Sequence, residues 1–261
     1  MKYKNNLKQN NDFKDTRKGK QVRDGISSIL WSVETRGRYT ALTNFVSSDI
    51  IPKPIDSITL TTQSTYQYLY HIEEQCKRWE GPISVGVYAP GHEFSLNVHL
   101  IYYLRFCGNQ CIQSNISWHL IYETESDPKT SDSYPFCDIE AMNFNCSQSF
   151  DDIVRRYKNS IVSKYSYPIN VVRNVARLNV RTKYVMAIDI ELYPSVGLVP
   201  QFMQLVEREK ALLRKSPHVY VLPPFELERG TIPPTNKIQL IKLFKSRKRY
   251  TCSNLNLSFS I

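Results

Sequence analysis

The chain has 261 residues, 41% of them apolar and 12% aromatic, which is enough to fill the core of one large α/β domain or two small ones. Its net charge of +10 is concentrated at the ends, since residues 1–24 hold eight Lys and Arg against three Asp, and residues 229–261 hold seven against no acid. Residues 25–228 carry 19 basic and 21 acidic side chains, so the body of the protein is not predicted to bind nucleic acid or another polyanion.

Residues 1–26 form a polar, basic and aromatic-poor segment, a composition typical of a disordered leader. A nucleic-acid-binding arm is the alternative interpretation of these charges. The segment lacks the apolar stretch of a signal peptide, and no stretch of the chain approaches the roughly 18 apolar residues of a transmembrane helix. The sequence as written therefore predicts no route into the secretory pathway.

The first half of the body alternates between strand and helix patterns. In chain order these patterns predict a strand at 57–63, a helix at 65–79, a strand at 83–89, a helix at 93–107 and a strand at 115–123. Parallel strands need crossover connections of this kind, and helices usually supply them. We therefore expect a parallel sheet.

The second half continues the alternation after a polar loop, "TESDPKTSDSYP" at 124–135. The patterns predict a helix that opens at Pro168, a strand at 184–188, a helix at 201–215, a strand at 218–227 that prolines interrupt, and a helix at 235–245. The fold class is therefore α/β, with the strands at 57–62, 83–88, 116–122 and 184–188 in one mostly parallel sheet.

Two acids, Asp189 and Glu191, follow directly after the buried strand pattern at 184–188. Ligands of open α/β sheets collect at the carboxyl ends of strands, and two carboxylates separated by one residue can converge there once the strand has turned. Hard oxygen ligands of this kind suit Mg²⁺ or Mn²⁺, and such an ion can carry a diphosphate. The alternative is that the two acids only solvate the end of a strand.

The helix before that strand divides into an apolar and a polar arc at 100° per residue. Arg173, Asn174 and Arg177 fall on the polar arc. A solvated helix face explains these residues, but the helix leads directly into the acid-bearing strand. The two arginines are therefore also candidates to pair with a phosphate or with the acids.

The cysteines and the Asn-x-Ser sequons bear on the cellular compartment. The six cysteines form no C-x-x-C pair, so neither a zinc ribbon nor a thioredoxin motif is predicted. Cys107 and Cys111 are spaced to share one helix face, and Cys137 and Cys146 bracket a loop. Buried free thiols and lumenal disulfides both remain open. The three sequons lie at Asn115, Asn145 and Asn256.

Four stretches carry a resemblance to a known family. They are "RWEGPISVGVYAP", "YPINVVRNVAR", "YVMAIDIELYPS" and "VYVLPPFEL", in this order. Together they resemble glycosyltransferase family 49 over roughly residues 57–245. The resemblance implies a GT-A fold and inverting transfer of glucuronate or N-acetylglucosamine from a UDP-sugar to a glycan or glycoprotein acceptor. It also implies Mn²⁺ dependence and a membrane-associated protein of the Golgi membrane or lumen.

The same resemblance assigns candidate site residues but no catalytic residue. Asp189 and Glu191 match the D-x-D metal ligands of the family, with Glu in place of the second Asp. Arg173, Asn174 and Arg177 match its R-N-x-A-R stretch, and Thr61 and Thr62 match the end of the first strand, where UDP binds in GT-A folds. We therefore expect the two acids to converge with Thr62 and Arg173.

The resemblance also sets the expected domain organisation. Residues 27–245 would form the glycosyltransferase domain, and residues 246–261 a divergent basic tail. The family continues beyond this region with a late His that completes the metal shell, whereas the last histidine here is His218. We therefore expect a C-terminally incomplete GT-A domain that binds UDP weakly. A relative that binds nucleotide or glycan without turnover is the alternative.

Overall fold

The computed structural model describes residues 31–53, 57–126, 144–157, 166–209, 219–228, 230–246 and 249–251. The predicted leader at 1–26 lies outside these ranges, as do residues 127–135 of the predicted loop and residues 210–215 of the predicted helix. Among the described residues, no helix is long and apolar enough to cross a membrane.

A six-stranded sheet forms the centre of the described structure. Its strands are β1 (Ser32–Arg36), β2 (Tyr39–Val46), β3 (Ile58–Ser64), β4 (Ile83–Tyr88), β5 (Ile116–Glu123) and β6 (Tyr184–Ala187). They are ordered β1-β2-β5-β4-β3-β6, and the four neighbours from β5 to β6 run parallel. The predicted α/β class and mostly parallel sheet are confirmed, and the arrangement is consistent with a GT-A-like glycosyltransferase fold.

The antiparallel hairpin of β1 and β2 was not predicted from the sequence. The two strands pair from Ser32 opposite Thr43 to Arg36 opposite Tyr39, and Gly37 takes a φ of 63° at the turn. Such a positive φ is the conformation that glycine adopts at little steric cost. β2 then pairs antiparallel with β5, so the hairpin completes one side of the sheet.

Helices cover both faces of the sheet. The helices of the described residues are α1 (Ile72–Trp79), α2 (Phe94–Cys107), α3 (Gln110–Asn115), α4 (Phe150–Arg156), α5 (Ile169–Leu178), α6 (Leu198–Arg208) and α7 (Lys237–Lys245). The predicted helix at 65–79 is divided, because a 3-10 segment, Tyr66–His71, precedes α1. Both α3 and α4 were missed.

The predicted strand at 218–227 was largely wrong. Only β7 (Phe225–Leu227) is a strand, and the described residues 219–224 are irregular. Pro223 and Pro224 lack the backbone N–H that a strand ladder needs, which explains the late start. β7 pairs antiparallel with β8 (Arg249–Thr251), which lies within the predicted tail at 246–261.

The two faces of the sheet differ in what covers them. Leu60, Val85 and Trp118 belong to the main apolar core, which also includes the buried side chains of α1 and α2. On the opposite face α5 lies very close to β4, since a Cβ placed on Gly86 would lie 2.6 Å from the Val172 carbonyl oxygen. A glycine at this position therefore sets how closely α5 approaches the sheet.

A buried polar network also holds α5 in place. The His119 imidazole accepts a hydrogen bond from the Asn44 amide at 2.8 Å, and its other nitrogen lies 2.9 Å from the Ser84 hydroxyl. That hydroxyl donates to the Ala176 carbonyl at 2.8 Å, so it accepts from the Nε2–H of His119. Ala176 lies in the last turn of α5, where carbonyls have no partner within the helix. The network therefore caps the end of α5.

Four of the cysteines form two disulfides, Cys76–Cys111 and Cys107–Cys146. The prediction that Cys107 and Cys111 share one helix face was wrong, because Cys107 ends α2 and Cys111 lies in α3. Gly108, which separates the two helices, is the physical reason, since a Cβ there would lie 2.3 Å from the Leu104 carbonyl oxygen. The free-thiol interpretation is likewise wrong for these four residues.

Candidate functional site at the carboxyl ends of β3 and β6

The strand order places a topological switch point between β3 and β6. The chain passes from β3 to β4 to β5 in one direction across the sheet, and β6 then adds to the opposite side of β3. Helices α1 and α5 lie on opposite faces at this point. In open α/β sheets, ligands bind in the crevice that such a reversal leaves at the carboxyl ends of the strands.

A tight turn leaves β6 at this edge and carries both acids. The Ile188 amide donates to the Thr61 carbonyl at 3.1 Å, and the Leu192 amide donates to the Asp189 carbonyl at 3.0 Å. Between the acids, Ile190 is 2% exposed and belongs to the core. The buried Ile190 side chain holds the turn against the core, while the carboxylates of Asp189 and Glu191 on either side of it remain accessible to solvent.

Helix α1 fixes the backbone of the same turn. The fully buried Gln75 side chain donates from its amide nitrogen to the carbonyls of Asp189, at 3.2 Å, and Leu192, at 2.9 Å. These bonds satisfy turn carbonyls that have no strand partner. Gln75, on the face of the sheet that α1 covers, therefore fixes the backbone that carries the two acids.

The Asp189 carboxylate meets α5 on the other face. The Arg173 guanidinium forms an ion pair with its Oδ1, and the Gln63 side-chain amide donates to the same oxygen at 2.5 Å. Arg173 is 44% exposed and Asp189 41% exposed, so solvent screens this pair and its contribution to folding stability is small. The three side chains come from β3, α5 and the turn after β6, which makes this a convergent polar cluster.

Tyr167, just before α5, adds an unsatisfied hydroxyl to the cluster. Its buried oxygen has no hydrogen-bond partner among the described residues. Burial raises the pKa of the Tyr167 hydroxyl, Arg173 lowers it, and Asp189 and Glu191 raise it. Both acids therefore lie within electrostatic range of a hydroxyl that stays protonated and can donate a hydrogen bond to a ligand.

On the α1 side, Glu191 lies near an aromatic group. The Nδ1 of His71 lies 2.6 Å from the Tyr193 hydroxyl, and the rings of Tyr70 and His71 are 4.1 Å apart. Burial lowers the pKa of His71, and the charge of Glu191 opposes that shift. Glu191 thus faces a neutral imidazole near neutral pH, which leaves its carboxylate without a strong counter-charge from that side.

Among the described residues, no side-chain hydrogen bond or ion pair joins the remaining sequence-predicted residues to this cluster. Asn174 and Arg177 are exposed on α5. Thr61 and Thr62 are buried in β3, with side chains on opposite faces by strand alternation, and the Thr62 hydroxyl has no hydrogen-bond partner among the described residues. Their roles as nucleotide ligands stay predictions.

Sequence reasoning missed Gln63 and Tyr167. Gln63 follows the "TT" of the first strand and shares the face of Thr61, so strand alternation could have placed it beside the acids. Tyr167 precedes the helix-opening Pro168, and no local pattern marks its hydroxyl as unsatisfied.

The donor chemistry of the cluster suits a hard divalent cation, since Asp189 and Glu191 offer carboxylate oxygens in a turn. Among the residues that the structure describes, no group of three or more His, Cys, Asp or Glu side chains could hold a metal ion. Two carboxylates leave most of a six-coordinate shell open. An ion bound here would therefore need oxygen ligands beyond these two acids.

Comparisons with known proteins identify the family of this chain. The family model described as "Glycosyl-transferase for dystroglycan" matches residues 57–251. Beta-1,4-glucuronyltransferase 1 from Danio rerio is 31% identical over 222 residues, which cover 80% of this chain and 50% of the relative. The Homo sapiens protein of the same name is 25% identical over 237 residues, with coverages of 86% and 54%.

A second group of relatives matches a smaller share of a longer protein. Xylosyl- and glucuronyltransferase LARGE2s from Danio rerio is 26% identical over 199 residues, covering 74% of this chain and 20% of the relative. The chain spans about half the length of the glucuronyltransferase 1 relatives. Because the family model covers most of the chain, from β3 through the turn that carries Asp189 and Glu191 to β8, the chain belongs to glycosyltransferase family 49.

Proposed function

We propose that this chain forms the nucleotide-sugar domain of an inverting, metal-dependent glycosyltransferase. The enzyme that contains this domain would transfer glucuronate or N-acetylglucosamine from a UDP-sugar to a hydroxyl of a glycan or glycoprotein acceptor. The observation that carries the proposal is the convergence of Asp189, Arg173 and Gln63 at the switch point between β3 and β6. The names of the relatives supply the sugar-transfer chemistry.

Each residue of this site would have a separate role. Asp189 and Glu191 would hold Mn²⁺, which supplies positive charge to the diphosphate leaving group. Arg173 holds Asp189 in one orientation and has further N–H donors, while Arg177 and Asn174 extend the polar surface of α5 along the same helix. Tyr167 would donate its unsatisfied hydroxyl to a ligand oxygen, and Thr61 and Thr62 would lie beneath the nucleotide.

We place the protein in the Golgi lumen or at its membrane. The two disulfides support this proposal, because such bonds persist in oxidising compartments and are rare in the cytosol.

A non-catalytic relative that binds nucleotide or glycan is the second candidate. Two observations on the described residues favour it. Asp189 already has Arg173 as its counter-charge, and no group of three potential metal ligands is present there. Such a protein would bind UDP with little dependence on a cation and would transfer no sugar.

Calorimetric titration of UDP with and without Mn²⁺ tests the binding part of the proposal. We expect weak UDP binding that Mn²⁺ strengthens, and loss of the Mn²⁺ effect in Asp189→Asn. Asp151→Asn, which removes an exposed carboxylate on α4, is the matched control and should bind like the parent chain. Metal-independent binding that Asp189→Asn leaves unchanged would contradict the metal role.

A transfer assay with radiolabelled UDP-glucuronate and UDP-N-acetylglucosamine tests turnover. We expect little or no transfer by these 261 residues. An in-line reaction requires an acceptor hydroxyl held in position, and none of the residues assigned above would hold it. Robust turnover would show that these residues suffice for catalysis. UDP binding without turnover in a protein extended to the length of its relatives would favour the non-catalytic candidate.

A further inference from the structure

A sequon lies on an exposed turn far along the chain from the acid cluster. Asn145, Cys146 and Ser147 are all exposed. The Ser147 amide donates to the Asn145 side-chain oxygen at 3.0 Å, so the asparagine folds back over its own sequon. Among the described residues, none accepts a hydrogen bond from the Asn145 side-chain nitrogen. The nucleophilic end of this amide is therefore open to solvent.

Three contacts hold this turn on the surface. Cys146 is bonded to Cys107 at the end of α2, and the Phe144 ring stacks on Phe106 with centroids 5.4 Å apart. Ser149 then begins α4 with a reciprocal capping box. Phe106 is 52% exposed, so an apolar ring lies open to solvent next to the sequon-bearing turn. A bulky polar group on Asn145 would find space and would cover apolar surface.

The sequon at Asn115 has the opposite environment. Asn115 ends α3 directly before β5, is half-buried, and lines a small cavity of about 30 Å³ at the amino edge of the sheet. Its serine, Ser117, lies within β5 and shares a hydrogen bond with Ser48 at 3.3 Å. An oligosaccharide on Asn115 would have to leave through this packed junction, so it would have less room there than on the exposed turn at Asn145.

We propose that Asn145 carries an N-linked oligosaccharide and that Asn115 does not. The inference rests on the lumenal location proposed above. The donor is a polyprenyl-diphosphate oligosaccharide, and the host's transferase supplies the catalysis. A bond forms between the Asn145 side-chain nitrogen and C1 of the first sugar, the bond from C1 to the diphosphate breaks, and the nitrogen loses one proton as the polyprenyl diphosphate leaves.

The experiment expresses the full chain behind a cleavable signal peptide in a glycosylating eukaryotic cell line. Protein from the medium and from the microsomal lumen is mapped by mass spectrometry before and after enzymatic release of N-glycans. We expect a released glycan on the Asn145 peptide and an unmodified Asn115 peptide. Ser147→Ala should abolish the modification, whereas Ser147→Thr, which keeps the hydroxyl, should retain it.

Two outcomes would overturn the inference. One is an unmodified Asn145 in lumenal protein whose Cys107–Cys146 bond has formed, which non-reducing peptide mapping detects. The other is equal modification of Asn115 in the folded protein. Neither result depends on sugar transfer by this chain, so failure here is distinguishable from failure of the UDP and transfer assays.

Discussion

Helix α5 contacts two polar networks in the sheet, and they differ in how completely their hydrogen bonds are satisfied. At its carboxyl end, Asn44, His119 and Ser84 form a buried chain of bonds that ends on the Ala176 carbonyl. At its amino end, a half-exposed network joins Arg173 to Asp189 and Gln63. We call these the buried network and the edge network.

This difference in hydrogen-bond satisfaction indicates that the buried network stabilises the fold and that the edge network is available to bind a ligand. In the buried network every polar atom has a partner, and a network of this kind rigidifies a core. The edge network lies beside the exposed Glu191 carboxylate and the Tyr167 hydroxyl, which has no hydrogen-bond partner within the described part of the chain. Unsatisfied polar groups at a sheet edge lower the stability of the isolated protein and give a ligand something to bind. The comparison therefore predicts large stability effects in one network and small ones in the other.

The largest expected effect comes from His119→Leu. The change removes the acceptor of the Asn44 amide and the donor to the Ser84 oxygen, which keeps only its bond to the Ala176 carbonyl. We expect a loss of about 3 kcal/mol in the free energy of unfolding, as for buried groups without a partner. Urea denaturation at pH 7.5 measures it. A loss below about 1 kcal/mol would show that the buried network does not stabilise the sheet.

Gly86→Ala should affect both networks, because the added Cβ would lie 2.6 Å from the Val172 carbonyl oxygen and push α5 outward. We expect a loss of about 2 kcal/mol, within the usual cost of overpacking. UDP binding should also weaken, since Arg173 moves with the helix. Gly37→Ala, where no atom lies within 4 Å of the new Cβ, serves as a control for backbone strain alone. Unchanged stability in Gly86→Ala would show that α5 shifts freely.

The next effect in size should be the change in the free energy of unfolding with pH. Burial lowers the pKa of His119 to about 3. In the unfolded chain a histidine titrates near 6.5, so between these values the unfolded state binds more protons and stability falls as the pH falls. We expect a loss of about 1.4 kcal/mol per pH unit from this residue below pH 6.5.

The measurement compares unfolding of the parent chain and of His119→Leu between pH 7.5 and 4.5. The stability difference between the two proteins should shrink as the pH falls, because the variant lacks the titrating group. A constant difference would mean that His119 is protonated in the folded protein at acidic pH. His99→Gln, in a partly exposed site, is the control and should change the slope less.

The smallest stability effects are expected in the edge network. Asp189→Asn and Arg173→Met each remove one partner of a half-exposed ion pair, so unfolding free energies should change by less than about 0.5 kcal/mol. The same variants should lose the Mn²⁺-dependent part of UDP binding. A stability loss above about 2 kcal/mol, with binding intact, would assign the edge network to structure.

Much of the sheet could be predicted from the sequence because its strands are short apolar runs separated by helical patterns. The runs at 57–62, 83–88, 116–122 and 184–188 all form parallel strands. The hairpin of β1 and β2 was missed because its pattern is half polar and only its pairing with β5 makes it part of the sheet. The disulfide pairing likewise could not be predicted from the sequence, because the two bonds join cysteines 35 and 39 positions apart.

The sequence by itself determined the α/β class and placed Asp189 and Glu191 after a strand, since both follow from local periodicity. Only the tertiary structure decided that β6 lies beside β3, which brings Gln63 and Arg173 to Asp189. It also decided that Thr62 is buried and that the Tyr167 hydroxyl has no partner among the described residues. Strand order and burial depend on contacts between distant segments, and local periodicity carries no information about those contacts.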